Sequence, residues 1–369
     1  MIQAKVHIAM KFLLKVARLS IVCLLAATIS FVALSGCSDS TQNSEDTTSQ
    51  VEGNPKLNWD VSLWGKPRAG TEIAEALARE LHTGTDGAWQ LNLHYGEALS
   101  KARENLDGLA IGAFESALFC NFYHPQKTPA LMVLTMPFLP MENWENNRKV
   151  REAVYAHPDV VNELKQWGAM IYTSTFLPQY EFMGRGSSPE SIDDWKGLTV
   201  RVGGGMGDAM LRLGATPTSS TATEVYTGVQ QGTMNAAAFP FTYGHVSYRI
   251  HEVSTWFTGN LAPGSADCAL AFSISAYESL PAQYQELLES VKNKVIDAQV
   301  QAYVEVDKIN LALLRETLSE VTYTEEERNA IREVAGKPVI DEWITANQDK
   351  FDARGLVDAI YTSVGHSFE

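Results

Sequence analysis

Residues 194–213 read DWKGLTVRVGGGMGDAMLRL, and this stretch decides the fold. Leu198-Thr199-Val200-Arg201-Val202 reads as a short strand, Gly203 to Gly207 as a glycine-rich turn, and Asp208 to Leu213 as a helix. A second helix is expected over Ala222 to Gln231, with Gly232 placed to end it, and a further strand over Asn235 to Phe239. Strands alternating with helices imply a sheet with parallel strands, covered by helices. The same alternation stands upstream. Leu57, Trp59, Val61 and Leu63 recur at a period of two, as do Trp89, Leu91, Leu93 and Tyr95. Between them Ile73, Leu77 and Leu81 form one helical stripe.

Two helices follow at about Glu142–Ala156 and Pro158–Gly168, with Pro158 suited to a first turn where its missing N–H costs nothing. Ala169 to Leu177 reads as a strand. From Pro281 to about Glu320 the pattern is helical with no glycine or further proline. At 1.5 Å per residue that is about 60 Å, too long to cover one domain face and long enough to bridge two. Thr324 with Glu327 forms a capping box for another helix. A chain of 369 residues has room for two domains. The expected fold class is therefore α/β with a long bridging helix.

Composition excludes several functions. There are 44 acids against 29 bases, a net charge of −15, and no basic stripe for nucleic acid. The glycine turn does not fit a dinucleotide: counting from Gly203, the sixth position is Asp208, whose carboxylate would repel a pyrophosphate. It also lacks the Lys-Ser/Thr of a P-loop. The closest histidine pair, His245 and His251, is six apart, and neither HExxH nor CxxC occurs, so no metal or cofactor is expected. No Gly-x-Ser-x-Gly elbow or acid/base pair nominates an enzyme.

The charge is unevenly placed. The first 36 residues hold four of the 29 bases, Lys5, Lys11, Lys15 and Arg18, and no acid. Leu19 to Leu34 is uncharged, short for a membrane span and typical of a signal-peptide core. Leu34-Ser35-Gly36-Cys37 resembles a lipobox, the bacterial lipoprotein signal in which cleavage precedes a diacylated cysteine. Residues 1–36 then read as signal peptide and 37–54 as an acylated Cys37 on a disordered, Ser/Thr/Asp/Glu-rich tether. Cys23 would leave with the signal. Cys120 and Cys268 remain, in apolar runs that suggest two buried free thiols, although an oxidising compartment allows them to pair.

Arg201 stands at the end of a short strand between apolar residues. Two readings are open: a guanidinium fork that clamps a ligand carboxylate, or an internal ion pair.

Three linked motifs now bear on that choice: Asp194-Trp195-Lys196-Gly197-Leu198-Thr199-Val200-Arg201-Val202, Leu213-Gly214-Ala215-Thr216-Pro217, and Glu224-Val225-Tyr226-Thr227-Gly228-Val229-Gln230-Gln231-Gly232. Together they resemble the substrate-binding subunits of TRAP transporters, of the dicarboxylate-binding type. Tyr123-His124-Pro125 through Met136-Pro137-Phe138-Leu139 is similar to a further stretch of that family, and the resemblance runs from about Leu57 to the C-terminus. It implies a periplasmic-binding-protein-like Venus flytrap, not an enzyme. Two α/β domains, 55–178 plus 269–318 and 179–268 plus 319–369, would close around an organic acid. TRAP permease subunits driven by an ion gradient would then take it up. Arg201 matches the family's selectivity arginine. The expected location is the periplasmic side of a bacterial membrane. A ligand sensor for a signalling partner and a secreted enzyme on a similar scaffold are the alternatives.

The chain departs from the pattern at two places. Some members carry a second arginine about twenty residues before the first; here that neighbourhood is Gln179-Tyr180-Glu181. Some place Asn in the strand after the third motif, where this chain has Phe239. Trp64, Phe119, Phe122, Tyr180, Phe239 and Tyr243 sit at strand ends or in the loops after them, where α/β sheets bind ligands. With Gln179 and Arg201 they form the candidate ligand site, and they point to a monocarboxylate with an apolar or aromatic body. The reading of each aromatic taken alone is core packing.

Overall fold

The computed structural model describes residues 53–369. The signal segment, Cys23, Cys37 and most of the tether lie outside the described residues.

The first sheet has the order β2-β1-β3-β10-β4. Its strands are β1 (Leu57–Ser62), β2 (Trp89–His94), β3 (Ser116–Cys120), β4 (Ala169–Ser174) and β10 (Cys268–Ser273). The second has the order β11-β9-β5-β8-β6-β7. It comprises β5 (Tyr180–Gly184), β6 (Thr199–Arg201), β7 (Thr216–Thr218), β8 (Ala236–Pro240), β9 (Trp256–Thr258) and β11 (Ser319–Val321). The expected parallel pairing holds for β1 with β2 and β3, and for β6 with β7 and β8. Each sheet also contains one reversed strand. β10 runs antiparallel to β3 and β4, and β5 antiparallel to β8 and β9. Both follow a direct crossing from the other sheet, whereas β11, which is reached through the long helix, runs parallel to β9.

The helices are α1 (Glu72–Gly84), α2 (Asn105–Ala110), α3 (Trp144–Ala156), α4 (Pro158–Lys165), α5 (Gly204–Arg212), α6 (Val225–Gln231), α7 (Tyr243–Ser247), α8 (Ile274–Glu278), α9 (Ala282–Thr317), α10 (Glu325–Ala335), α11 (Lys337–Asn347) and α12 (Ala353–Ser363). Local rules account for several ends. Gly232 closes α6 in the left-handed conformation, Pro158 occupies the first turn of α4, and the Thr324–Glu327 capping box opens α10.

α9 is 36 residues long and spans both lobes. Tyr284, Leu288, Val295, Gln299 and Tyr303 form its buried stripe. Its first part lies along α1, and Lys294 pairs with Glu80 there. Farther on it reaches α7, where Tyr303 packs on Tyr243 at 4.9 Å. It stops three residues before the expected end, because Leu318 turns extended and β11 follows.

Two sequence expectations meet a different arrangement. α12 packs on α3, with Leu356, Val357 and Ile360 in one cluster with Val150 and Val154 of the first lobe; the sequence grouped residues 319–369 with the second sheet. A helical stripe shows that a face is buried, not which sheet buries it. Cys120 and Cys268 are opposite one another in the β3–β10 register and are disulfide-bonded, not free thiols. They are buried as expected.

Besides the long helix, the chain crosses between the sheets along two adjacent segments. The Thr175 N–H donates to Cys268 O at 2.8 Å and the Tyr180 N–H to Gly264 O at 2.8 Å. A buried ion pair, Arg151 with Asp267, clasps them. Arg151 also donates to Ala266 O at 3.0 Å and to the Ser265 hydroxyl at 3.2 Å, while Tyr155 and Ser174 hydroxyls donate to Asp267.

Candidate functional site

The glycine-rich segment acts at the lobe interface. α5 begins at Gly204, four residues earlier than expected. A β-carbon on Gly203 would lie 2.8 Å from the Phe122 ring, and one on Gly205 would lie 2.6 Å from Met136. Both neighbours belong to the first lobe. These glycines therefore let the lobes meet, which is the reason for the absence of side chains here.

Beside this contact lies a cavity of about 30 Å³ whose walls include Trp64, Phe122 and Tyr123 from the first lobe and Tyr180, Arg201, Phe239, Tyr243 and Tyr248 from the second. Arg201 is the last residue of β6 and is 2% exposed. Nε donates to Ser220 O at 3.1 Å, Nη1 to Ala238 O at 2.8 Å and Nη2 to the Tyr123 hydroxyl at 3.4 Å. Its carbon centre stands 4.7 Å from the Phe239 ring and 5.1 Å from the Phe122 ring. The cation is thus sandwiched between two π faces, one from each lobe. All its hydrogen-bond partners are neutral oxygens, and it forms no ion pair among the described residues. Two of its five N–H groups remain unused.

Arg151 is the internal comparison. It is equally buried, and it has Asp267. A buried charge without a counter-charge costs several kcal/mol, so a fold retains one when something supplies the missing charge. The cavity wall contains no carboxylate and two arginines, Arg201 and Arg68. Its local potential is positive inside a protein of net negative charge.

Tyr123 ties the lobes at the same point. Its oxygen accepts from the Ala222 N–H at 2.9 Å as well as from Arg201, leaving its own proton to donate. Burial pushes the Tyr180 and Tyr243 hydroxyls upward from the usual range, so the surrounding phenols stay neutral donors.

Of the candidates from sequence, Arg201, Trp64, Phe122, Tyr180, Phe239 and Tyr243 line this cavity. Phe119 and Gln179 do not, and strand parity explains both. Cys120 faces the cavity, so Phe119, its neighbour in β3, points to the opposite side and packs among Leu131, Val133 and Leu134. Tyr180 faces the cavity, so Gln179 and Glu181 face away. They line a separate space of about 260 Å³ with Asp307 and Trp144, where Gln179 donates to Met141 O. Burial pushes the Glu181 carboxyl up to about 8 despite donors from Thr258, Leu261 and Ala262. Arg68, Tyr123 and Tyr248 were missing from the sequence-based set. The rule that ligands gather in loops after strand ends would have found Arg68, which stands shortly after β1. A larger groove of about 720 Å³ runs along Leu57–Trp59 and Ser273–Ser279 outside the first lobe, and no arginine lines it.

The family model for bacterial extracellular solute-binding protein, family 7, matches residues 65–346, and the chain belongs to that family. Among individual proteins it is similar to a monocarboxylate 2-oxoacid-binding periplasmic protein of a Nostoc strain. The two are 24% identical over 327 residues, covering 81% of this chain and 86% of that one. The fold matches a TRAP periplasmic solute-binding protein from Desulfovibrio salexigens solved with orotic acid. Its TM-score is 0.74 at 17% identity, with 84% of this chain and 98% of that one covered. It also matches a TRAP solute-binding protein from Rhodoferax ferrireducens solved with copurified benzoate. There the TM-score is 0.72 at 17% identity, covering 83% and 97%.

Proposed function

We propose that this protein is an extracytoplasmic receptor that closes two lobes on a small organic acid and passes it to a TRAP permease. Arg201 clamps the carboxylate. Trp64, Phe122, Tyr180, Phe239 and Tyr243 enclose an apolar or aromatic body. The lobes divide as 55–178 plus 269–318 against 179–268 plus the chain after 318, with residues 353–363 returning to the first lobe. The observation that carries this is Arg201 itself, buried between two rings with only neutral oxygen partners. The acids in the names of its relatives, 2-oxoacid, orotate and benzoate, all carry a carboxylate.

The small cavity and the aromatic walls describe closed lobes. A carboxylate supplies the charge that makes closure favourable, so ligand and closed state stabilise each other. A thermal-shift screen of small carboxylic acids tests this. A true ligand at a hundredfold excess over its Kd should stabilise the protein by about 2.7 kcal/mol. If neutral analogues such as the amides raise Tm as much as the acids do, the clamp reading is wrong.

The same proposal places the receptor on a membrane through acylated Cys37. Cys37→Ser should move the protein from the membrane fraction to the soluble one, and persistence in the membrane pellet would remove the lipoprotein reading.

A further inference from the structure

Arg68 is a second guanidinium in the wall of the same cavity. It stands in the loop Gly65-Lys66-Pro67-Arg68, in the first lobe, opposite the lobe that carries Arg201. Nη1 donates to Trp64 O at 2.7 Å and to Lys66 O at 3.0 Å, and the group lies 5.6 Å from the Trp64 ring and 5.5 Å from the Tyr248 ring. Its Nε is buried and has no hydrogen-bond partner, and the same holds for the Tyr248 hydroxyl. The guanidinium and the hydroxyl stand beside one another: Tyr248 Oη and Arg68 Nη1, the nitrogen engaged by Trp64 O and Lys66 O, each lie 3.1 Å from the point that a β-carbon on Gly65 would occupy. Gly65 has φ +67°, so glycine both allows this turn and keeps the space clear.

The nearby acids are engaged elsewhere. Glu75 accepts from the Thr71 and Tyr95 hydroxyls, and Glu72 pairs with Arg79. Arg68 and Tyr248 also border an outer groove of about 620 Å³ lined by Lys66, Glu97 and Arg249, whereas Arg201 borders only the cavity. Arg201 therefore marks the deep end and Arg68 the end toward the groove. Two unsatisfied buried donors, Arg68 Nε from the loop after β1 and the Tyr248 hydroxyl from the end of α7, are expensive to leave unmade when the lobes close on an acid that offers them nothing.

We propose that Arg68, with Tyr248, recognises a second acceptor oxygen, oxo or hydroxyl, on the acid whose carboxylate Arg201 holds. The preferred ligand is then an oxygen-substituted monocarboxylate, and Arg68 sets that preference. This rests on Arg201 as the carboxylate clamp.

The test is calorimetry on matched pairs of acids: 2-oxobutyrate against butyrate, and 3-hydroxybenzoate against benzoate. One hydrogen bond to a charged group predicts about a tenfold preference for the oxygenated member of the pair that fits. In Arg68→Met that Kd ratio should fall toward one. Arg68→Lys, which keeps the charge but not the fork, should retain part of it. A wild-type ratio near one in both pairs overturns the proposal. So does an Arg68→Met protein that loses affinity for both members equally, since an unchanged ratio means a structural role. Arg201→Ala is measured alongside. If it binds all four acids as well as the wild type does, the clamp itself fails, and that outcome is separate from the Arg68 ratios.

Discussion

Arg201→Ala is expected to lower affinity for the cognate acid by about two to three orders of magnitude, as follows when one partner of a buried charge pair is truncated. The loss comes from two sources. The carboxylate forfeits a bidentate fork, and it must then be buried in a cavity whose other donors are phenols and one partly exposed guanidinium. The unliganded protein should melt near the wild-type temperature. Removing the cation leaves the carbonyls of Ser220 and Ala238 without a donor, but it also removes an uncompensated buried charge. Arg201→Lys should fall between the two, because an ammonium keeps the charge and loses the planar match to both the carboxylate and the sandwiching Phe122 and Phe239 rings. Unchanged affinity in Arg201→Ala, measured by calorimetry with the protein shown to be folded, would refute the clamp.

Arg151→Ala carries the largest expected loss of stability, about 3–5 kcal/mol. The side chain is fully buried and bonds Asp267, Ser265 and Ala266 on one crossing segment and Asn147 on α3. Its removal leaves Asp267 as a buried carboxylate with hydroxyl donors from Tyr155 and Ser174 only. Because this ion pair sits where the chain passes between the lobes, the variant should also change the energetics of closure. Denaturant melts of Arg151→Ala and of the double variant Arg151→Met with Asp267→Leu check the cause. The double variant should recover most of the loss, since replacing both charges removes the stranded carboxylate. Equal destabilisation in both proteins would show that packing volume, not the uncompensated charge, is responsible.

The residue alternation in the sequence was enough to identify β1, β2, β4, β6, β8 and the long helix, because period-2 and period-3.6 patterns report local backbone geometry. It did not reveal β3, β5, β7, β9, β10 or β11. Three of these are three residues long, too short to show a period, and β3, β5 and β10 are buried at every position, so no face alternates with solvent. Strand parity was legible too. Phe119 and Gln179 could have been excluded from the site once Cys120 and Tyr180 were placed facing it. What the sequence could not supply was which end of which strand faces the other lobe.

By itself, the sequence determined the α/β class and the bridging helix, and it nominated Arg201 as a candidate for the site. These depend on local periodicity and on motifs contiguous in the chain. Only the tertiary structure decided that Cys120 meets Cys268, that α12 returns to the first lobe, and that Arg68 joins Arg201 in one cavity. The physical reason is that each is a contact between segments far apart in the chain. Such contacts are set by how two sheets exchange strands and close on each other, and no local spacing encodes that exchange.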